Sequence, residues 1–331
     1  MNAVPSLDHL RKAYAVTSQA TQLTPLLEAR ALARETGAAR VFVKAESLQW
    51  AGSFKVRGAY WRLKQLSPEE AARGVVAYSS GNFAQGLAAA GEALNIPVTI
   101  VMPIDAPEAK KRGAQSYGAT VISTDHGDRA REEVAAERAR AISQEQGLAL
   151  LHPFDDPEIV AGQAGAGLEA IRQLDDKNAA ADLMLCCVGG GGLIGGVALA
   201  FHYLSPSTEL VAVEPEGFNG MGTSLSHGTI ETMPLGPKSI CDGLMARRPG
   251  IAPFAAVQAA GVRGVSVSDK AVKHAMRVAF ERMKLVLEPS GAAALAALLD
   301  GVVDARGKTV VVIATGGNVS VDDFARHIAD A

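Results

Sequence analysis

Lys55 stands in the run Gly52-Ser53-Phe54-Lys55-Val56-Arg57-Gly58, and three glycine-bearing loops elsewhere in the chain offer it partners for chemistry. A lysine beside a helix start is ordinarily solvated, and the helix dipole mildly disfavours its charge there. Near a phosphate-binding loop, with its pKa lowered, the same amine can form a Schiff base with an aldehyde cofactor. The first loop runs from Val188 to Gly196 as VGGGGLIGG, between an apolar strand and a helical stretch. Glycines let backbone N–H groups approach an anion closely, and a helix N-terminus adds its dipole, so phosphate binding is the natural inference. Gly190, Gly192 and Gly195 also fit the spacing of a dinucleotide-binding turn, with Glu214 placed where a ribose-binding acid would stand. Close packing alone is a third reading of the same glycines. The second loop, Ser79-Ser80-Gly81-Asn82-Phe83, can cap the helix that follows or hold a carboxylate through its N–H groups. The third, Thr315-Gly316-Gly317-Asn318, closes the last clear strand in the same manner, and three such loops together favour one shared site.

Other arrangements are weaker. The chain has no H-E-x-x-H, no G-x-S-x-G and no C-x-x-C, and Gly301 to Lys308 misses a Walker loop by one residue of spacing. Cys186, Cys187 and Cys241 are odd in number, with two adjacent in an apolar run, which argues against a disulfide framework or a tetrahedral metal site. A reducing, cytoplasmic compartment is the corresponding expectation. His152, before Pro153, reads as a packing residue.

The elements that must position these loops alternate. Short β-rich runs at Val41 to Lys44, Val75 to Tyr78, Val98 to Val101, Thr120 to Ile122, Leu183 to Val188, Leu210 to Glu214 and Val310 to Ala314 are separated by Ala-rich amphipathic stretches. That alternation predicts an α/β fold with parallel sheets flanked by helices, and ligands at the carboxyl ends of the strands. With 331 residues, two domains are expected. Lys+Arg number 32 against Asp+Glu 35, a net charge of −3 that gives no electrostatic footprint for nucleic acid or an anionic membrane. Leu183 to Phe201 is free of charge and long enough to span a bilayer, but its six glycines predict strand, loop and helix instead. The N-terminus has no apolar core of signal-peptide length.

Taken in order, the segments resemble the fold-type II pyridoxal-phosphate enzymes, specifically the threonine/serine dehydratase and serine racemase family. The matching pieces are Thr24-Pro25-Leu26, Ser53 to Ala59, Ser79 to Asn82, His152 to Pro157 with Ala161-Gly162-Gln163, Gly189 to Leu193, Val213-Glu214-Pro215, Asp242-Gly243-Leu244, Glu288 to Ala292 and Gly316-Gly317-Asn318. The resemblance implies a tryptophan synthase β-like fold, with a large cofactor-binding domain from residues 1–71 and 153–331 and a small inserted domain at 72–152. It implies pyridoxal 5'-phosphate on Lys55, Phe54 packed on the pyridine ring, and Asn82 on its phenolic oxygen. Gly189, Gly190, Gly191 and Gly192 with Leu193 would cradle the phosphate, Ser79, Ser80, Gly81 and Asn82 would bind the substrate carboxylate, and Thr315 would face the ring nitrogen. A neutral hydroxyl there makes a moderate electron sink, which suits loss of a β-hydroxyl more than transamination.

The implied activity is removal of water and ammonia from a β-hydroxy-α-amino acid of the L-threonine or L-serine class, giving a 2-oxo acid. Ser80 resembles the racemase pattern, where a serine exchanges a proton opposite the lysine, so a serine or aspartate-type racemase and a 3-hydroxyaspartate dehydratase stand as alternatives. A dinucleotide-binding oxidoreductase is the alternative of another class. The chain departs from the family at Phe83, where a histidine is usual, at Phe154, where racemases carry a polar residue, and at Gly220, where a cation-binding acid is expected. Little or no activation by a divalent cation is therefore expected at Glu214. A homodimer is expected by analogy, and no regulatory domain is expected beyond Phe324.

Overall fold

The apolar runs pair as two sheets in the computed structural model, which describes residues 4–106, 108–129, 131–234 and 238–329. Among these residues the strands are β1 (Leu26–Glu28), β2 (Arg40–Ala45), β3 (Val75–Tyr78), β4 (Val98–Pro103), β5 (Thr120–Thr124), β6 (Ala149–Leu151), β7 (Leu183–Cys187), β8 (Glu209–Pro215), β9 (Arg263–Val267) and β10 (Thr309–Ala314). The larger sheet has the order β1-β2-β10-β7-β8-β9, the smaller β5-β4-β3-β6. Every pairing is parallel except β1 with β2. This is a mixed and parallel α/β architecture, as the alternation of strand and helix predicts. The strands of the smaller sheet lie between residues 75 and 151, and those of the larger sheet lie on either side in sequence.

Strands buried on both faces read as nearly unbroken apolar runs because helices cover each side. In the larger sheet Val41, Val43, Leu183, Leu185, Val310 and Val312 face one core. Phe42, Met184, Cys186, Val311 and Ile313 face the other, as the two-residue period of a strand requires. Register then decides where the loops emerge. Ile313 lies level with Lys44 and Cys186, so the chain leaves β2, β7 and β10 at one edge. In the smaller sheet Ala77 lies level with Leu151, which sends Ser79 and His152 out side by side.

The helix Lys55–Leu63 is wedged against its neighbours through glycines. A Cβ on Gly162 would lie 2.7 Å from the Gly58 Cα, and one on Gly86 would lie 2.8 Å from the Val56 nitrogen. Both neighbouring helices, Pro157–Gln163 and Asn82–Leu94, thus approach it at backbone distance. Its other anchor is ionic. Arg57 is fully buried and donates to both oxygens of Glu46 and both of Glu169, at 2.8 Å in each case. Lys44 Nζ completes the cluster, donating to Glu169 at 2.6 Å and to the Thr24 carbonyl at 2.7 Å. Opposite charges balance within it and nearly every lone pair is used, which is what a buried ionic group needs to avoid a large desolvation cost.

Three strands escaped the sequence pattern. β1 and β6 are three residues long, and β9 is a largely half-exposed edge strand containing Gly264. The charge-free stretch from Leu183 is strand, glycine loop and the helix Gly192–Leu204. Among the described residues no helix is long and apolar enough to cross a membrane.

Candidate active site

Lys55 opens its helix, and its Nζ donates to the Pro153 carbonyl at 3.1 Å. The amine sits 5.2 Å from the Phe54 ring centroid and 5.6 Å from that of Phe83. Apolar surroundings disfavour its charged form and bring its pKa down to about 8, although Cys187 and Glu288 pull the other way. Phe83, the departure from the family pattern, is therefore part of what dries the amine.

Around Lys55 the three loops converge. Ser53 bridges Gly316, and the Phe54 N–H donates to the Thr315 carbonyl at 3.3 Å, which ties the lysine loop to the end of β10. Thr315 is buried, and its hydroxyl lies 3.4 Å from the Cys187 Sγ, a long contact. Burial raises that thiol to about 11, so it stays neutral. The glycine loop leads into the helix Gly192–Leu204, with Gly191 at φ +98° as its N-cap, a conformation that favours glycine. A Cβ on Gly190 would lie 2.3 Å from the Phe154 ring, so that ring closes one wall of the cradle. N–H groups at a helix start beside such a wall suit a phosphate.

The Ser79–Asn82 loop ends β3 and opens the helix Asn82–Leu94. Ser79, Ser80, Gly81 and Asn82 are all half-buried, but the Gly81 N–H is already held by the Ser79 hydroxyl at 3.2 Å. Asn82 is gripped from two sides: its Nδ2 donates to Glu288, and its Oδ1 accepts from Asn318 Nδ2 at 2.8 Å. Burial, helped by nearby Asp242, lifts Glu288 to about 7. His152 supports the same wall: its Nδ1 accepts from the Asp155 and Phe154 N–H groups at 2.9 and 3.3 Å, and its Nε2 meets the Tyr78 hydroxyl at 2.9 Å. Burial lowers its pKa, so the ring is neutral in this role.

Glu288, Cys187 and Asn318 are the members that the sequence reading gave no function. Asn318 and Glu288 stood inside recognisable motifs, yet only the fold reveals that both reach Asn82. Glu214 is buried and accepts from the Met221 and Gly222 N–H groups, each at 2.8 Å, at the start of the helix Gly220–His227. Burial nonetheless raises its pKa to about 7. A polar cavity of about 200 Å³ beside it, lined by Asn219, Thr223, Ser226 and Ser266 among others, does not include Lys55. Among the described residues there is no group of three or more His, Cys, Asp or Glu side chains placed to hold a metal ion.

A lysine amine of lowered pKa, a glycine loop at a helix start and an amide fixed by Glu288 and Asn318 are features that suit an enzyme holding a phosphate-bearing aldehyde cofactor. The family pattern described as pyridoxal-phosphate dependent enzyme matches residues 17–316, and the chain belongs to that family, among its ammonia-lyases and racemases. Its cofactor is pyridoxal 5'-phosphate. The chain is 39% identical over 302 residues to the L-threo-3-hydroxyaspartate ammonia-lyase of a Pseudomonas species, covering 91% of this chain and 92% of that one. It is 36% identical to the L-threonine ammonia-lyase of Thermotoga maritima, covering 98% of this chain and 78% of the relative. The solved structure of maize serine racemase superposes with a TM-score of 0.90 at 31% identity, covering 99% and 98% of the two chains.

Proposed function

We propose that the enzyme removes water and ammonia from a β-hydroxy-α-amino acid, with L-threonine or L-serine as substrate, and releases a 2-oxo acid. The observation that carries this reading is the Lys55 amine, held by the Pro153 carbonyl and lowered to about 8, facing the loops that end β3, β7 and β10. Bound at Lys55, pyridoxal phosphate supplies a sink for the electron pair left at the substrate α-carbon. The N–H groups of Gly189 to Gly192 and the helix dipole behind them would hold its phosphate, with Leu193 following in the first turn. Phe54 would pack on its ring, and the Thr315 hydroxyl, which makes a long contact with the Cys187 thiol, would face the ring nitrogen. The Ser79 and Ser80 hydroxyls, beside Gly81 and Asn82, would orient the substrate carboxylate at the positive end of a thirteen-residue helix. Lys55 Nζ, once released, is the base that takes the α-proton, and its pKa near 8 suits proton transfer in both directions.

A neutral substrate side chain is favoured by the state of Lys110. This lysine reaches from the smaller sheet's side to Asp242 beside the glycine loop and is paired there, so it is engaged by a carboxylate of this chain and not by a second substrate carboxylate. Racemisation is the second reading, and it rests on the half-buried Ser80 hydroxyl next to Asn82. We propose further a cytoplasmic homodimer. Three free, buried cysteines accord with a reducing compartment, and the exposed side chains of Phe280, Val286 and Val321 supply apolar surface for a second copy.

The deciding experiment is a visible spectrum of the purified protein, then assay of L-threonine, L-serine and L-threo-3-hydroxyaspartate for 2-oxo acid, with chiral chromatography of the residual substrate. Threonine or serine turnover is expected. Preference for the hydroxyaspartate would overturn the substrate assignment, and D-isomer without 2-oxo acid would replace elimination by racemisation. Light scattering tests the dimer.

A further inference from the structure

We propose that Glu288 is a positioning residue, holding the Asn82 amide so that its remaining N–H is aimed at the phenolic oxygen of the cofactor. The inference rests on the reading of Asn82 as a cofactor contact and adds the group that orients it. Two side-chain amides stand in a chain here, and an amide alone can turn either way, presenting oxygen or nitrogen. Acceptor-only groups at the two ends remove that freedom. At one end the Ala51 carbonyl accepts from Asn318 Nδ2 at 2.9 Å, and the second hydrogen of that nitrogen goes to Asn82 Oδ1 at 2.8 Å. Asn82 must therefore present its oxygen to Asn318 and its nitrogen to Glu288, whose Oε1 accepts from Nδ2. One hydrogen of Nδ2 is left, and no acceptor among the described residues takes it.

The backbone is shaped for this arrangement. The Glu288 N–H donates to the Gly316 carbonyl at 3.0 Å. A Cβ on Gly316 would lie 2.4 Å from Glu288 Oε1 and 3.0 Å from Asn82 Nδ2, so only glycine lets the carboxyl and the amide meet. At the far end, a Cβ on Gly52 would lie 2.2 Å from Asn318 Oδ1, so a second glycine admits the second amide. Glu288 is an unambiguous acceptor only when ionised, and the groups facing it set how readily it ionises. Burial and Asp242 oppose ionisation, Lys110 and Lys55 favour it, and Cys187 adds no charge while its thiol is neutral.

The test is titration of pyridoxal phosphate into apo-protein, followed by the visible band, for wild type, Glu288→Ala, Asn82→Ala and the double variant. Each single change should weaken cofactor binding about tenfold or more, as expected for a hydrogen bond to a charged group. The double variant should bind no more weakly than Asn82→Ala alone, because Glu288 acts through that amide. A double variant weakened by the product of the two single effects would overturn the proposal. Glu288→Gln guards against misfolding of the alanine variant. Wild-type affinity relative to Glu288→Gln should fall as pH drops through about 7. A ratio that does not change with pH also overturns it. A normal wild-type band with unaltered binding by Glu288→Ala sinks this inference alone, whereas no wild-type band at all overturns the proposed function with it.

Discussion

The lowered pKa of Lys55 has consequences that can be read without substrate. Replacing Lys55 with Ala should remove the visible band and reduce turnover by several orders of magnitude, checked by spectrum and 2-oxo acid assay. The second consequence concerns the apo-protein. Lysine in an unfolded chain titrates near 10.4, above the folded value of about 8, so between these values the unfolded state binds more protons. Folded stability must then rise with pH across that window as the buried charge is relieved. Compared with a Lys55→Met apo-protein in denaturant melts, wild type should be at its greatest disadvantage below pH 8 and recover towards pH 10. A difference independent of pH would mean that the amine is solvated. Lys55, Asn82, Thr315 and the four glycines were recognisable as candidates because each stands in a short motif, all but that of Lys55 at the end of an apolar run. The partners of Asn82 were not, since Glu288 lies 206 residues away and Asn318 lies 236 away. No local pattern encodes which motif's acid meets which motif's amide.

Elements carry the next set of constraints. Gly190→Ala would drive a methyl group into the Phe154 ring, and Phe154 lies one residue past the carbonyl that holds Lys55. Cofactor affinity should fall by at least tenfold while the secondary structure seen by circular dichroism is kept. Arg57→Leu tests the ionic anchor of the Lys55 helix. It leaves Glu46 and Glu169 buried without their guanidinium, a loss of about 3–5 kcal/mol by the usual cost of an uncompensated buried charge. Denaturant unfolding measures it, and a change below 1 kcal/mol would show that water or protonation can replace the arginine. This cluster was invisible beforehand, because charged residues in a sequence read as surface, and nothing local marks Lys44 and Glu46 as fully buried. The strands with strong apolar runs were legible, whereas β1, β6 and β9 are defined by their neighbours and not by their own composition.

At the scale of the molecule, the ion pair of Lys110 with Asp242 joins the side of the smaller sheet to the loop beside the glycine cradle. Asp242 is half exposed, so the pair contributes about 1 kcal/mol or less and is screened by salt. Lys110→Ala should raise the substrate KM by no more than about fivefold with kcat little changed, if closing the cleft is what the pair assists. Raising ionic strength should do the same to wild type and do little to the variant. Equal salt sensitivity in both would place the effect elsewhere.

The position of β10 has a consequence for how the enzyme is made. This last strand lies between β2 and β7, at the centre of the larger sheet, although it is synthesised after all the others. Lys55 leaves the ribosome early, and the smaller sheet, being contiguous in sequence, can pair before the chain is finished. The larger sheet cannot close until residue 309 and beyond arrive, and Thr315 and Asn318 come with them. A nascent chain therefore carries its reactive amine for most of its synthesis with no pocket around it. The burial that lowers its pKa in the finished fold is not in place until the final strand fills the gap, so full assembly of the pocket waits for the last part of the chain.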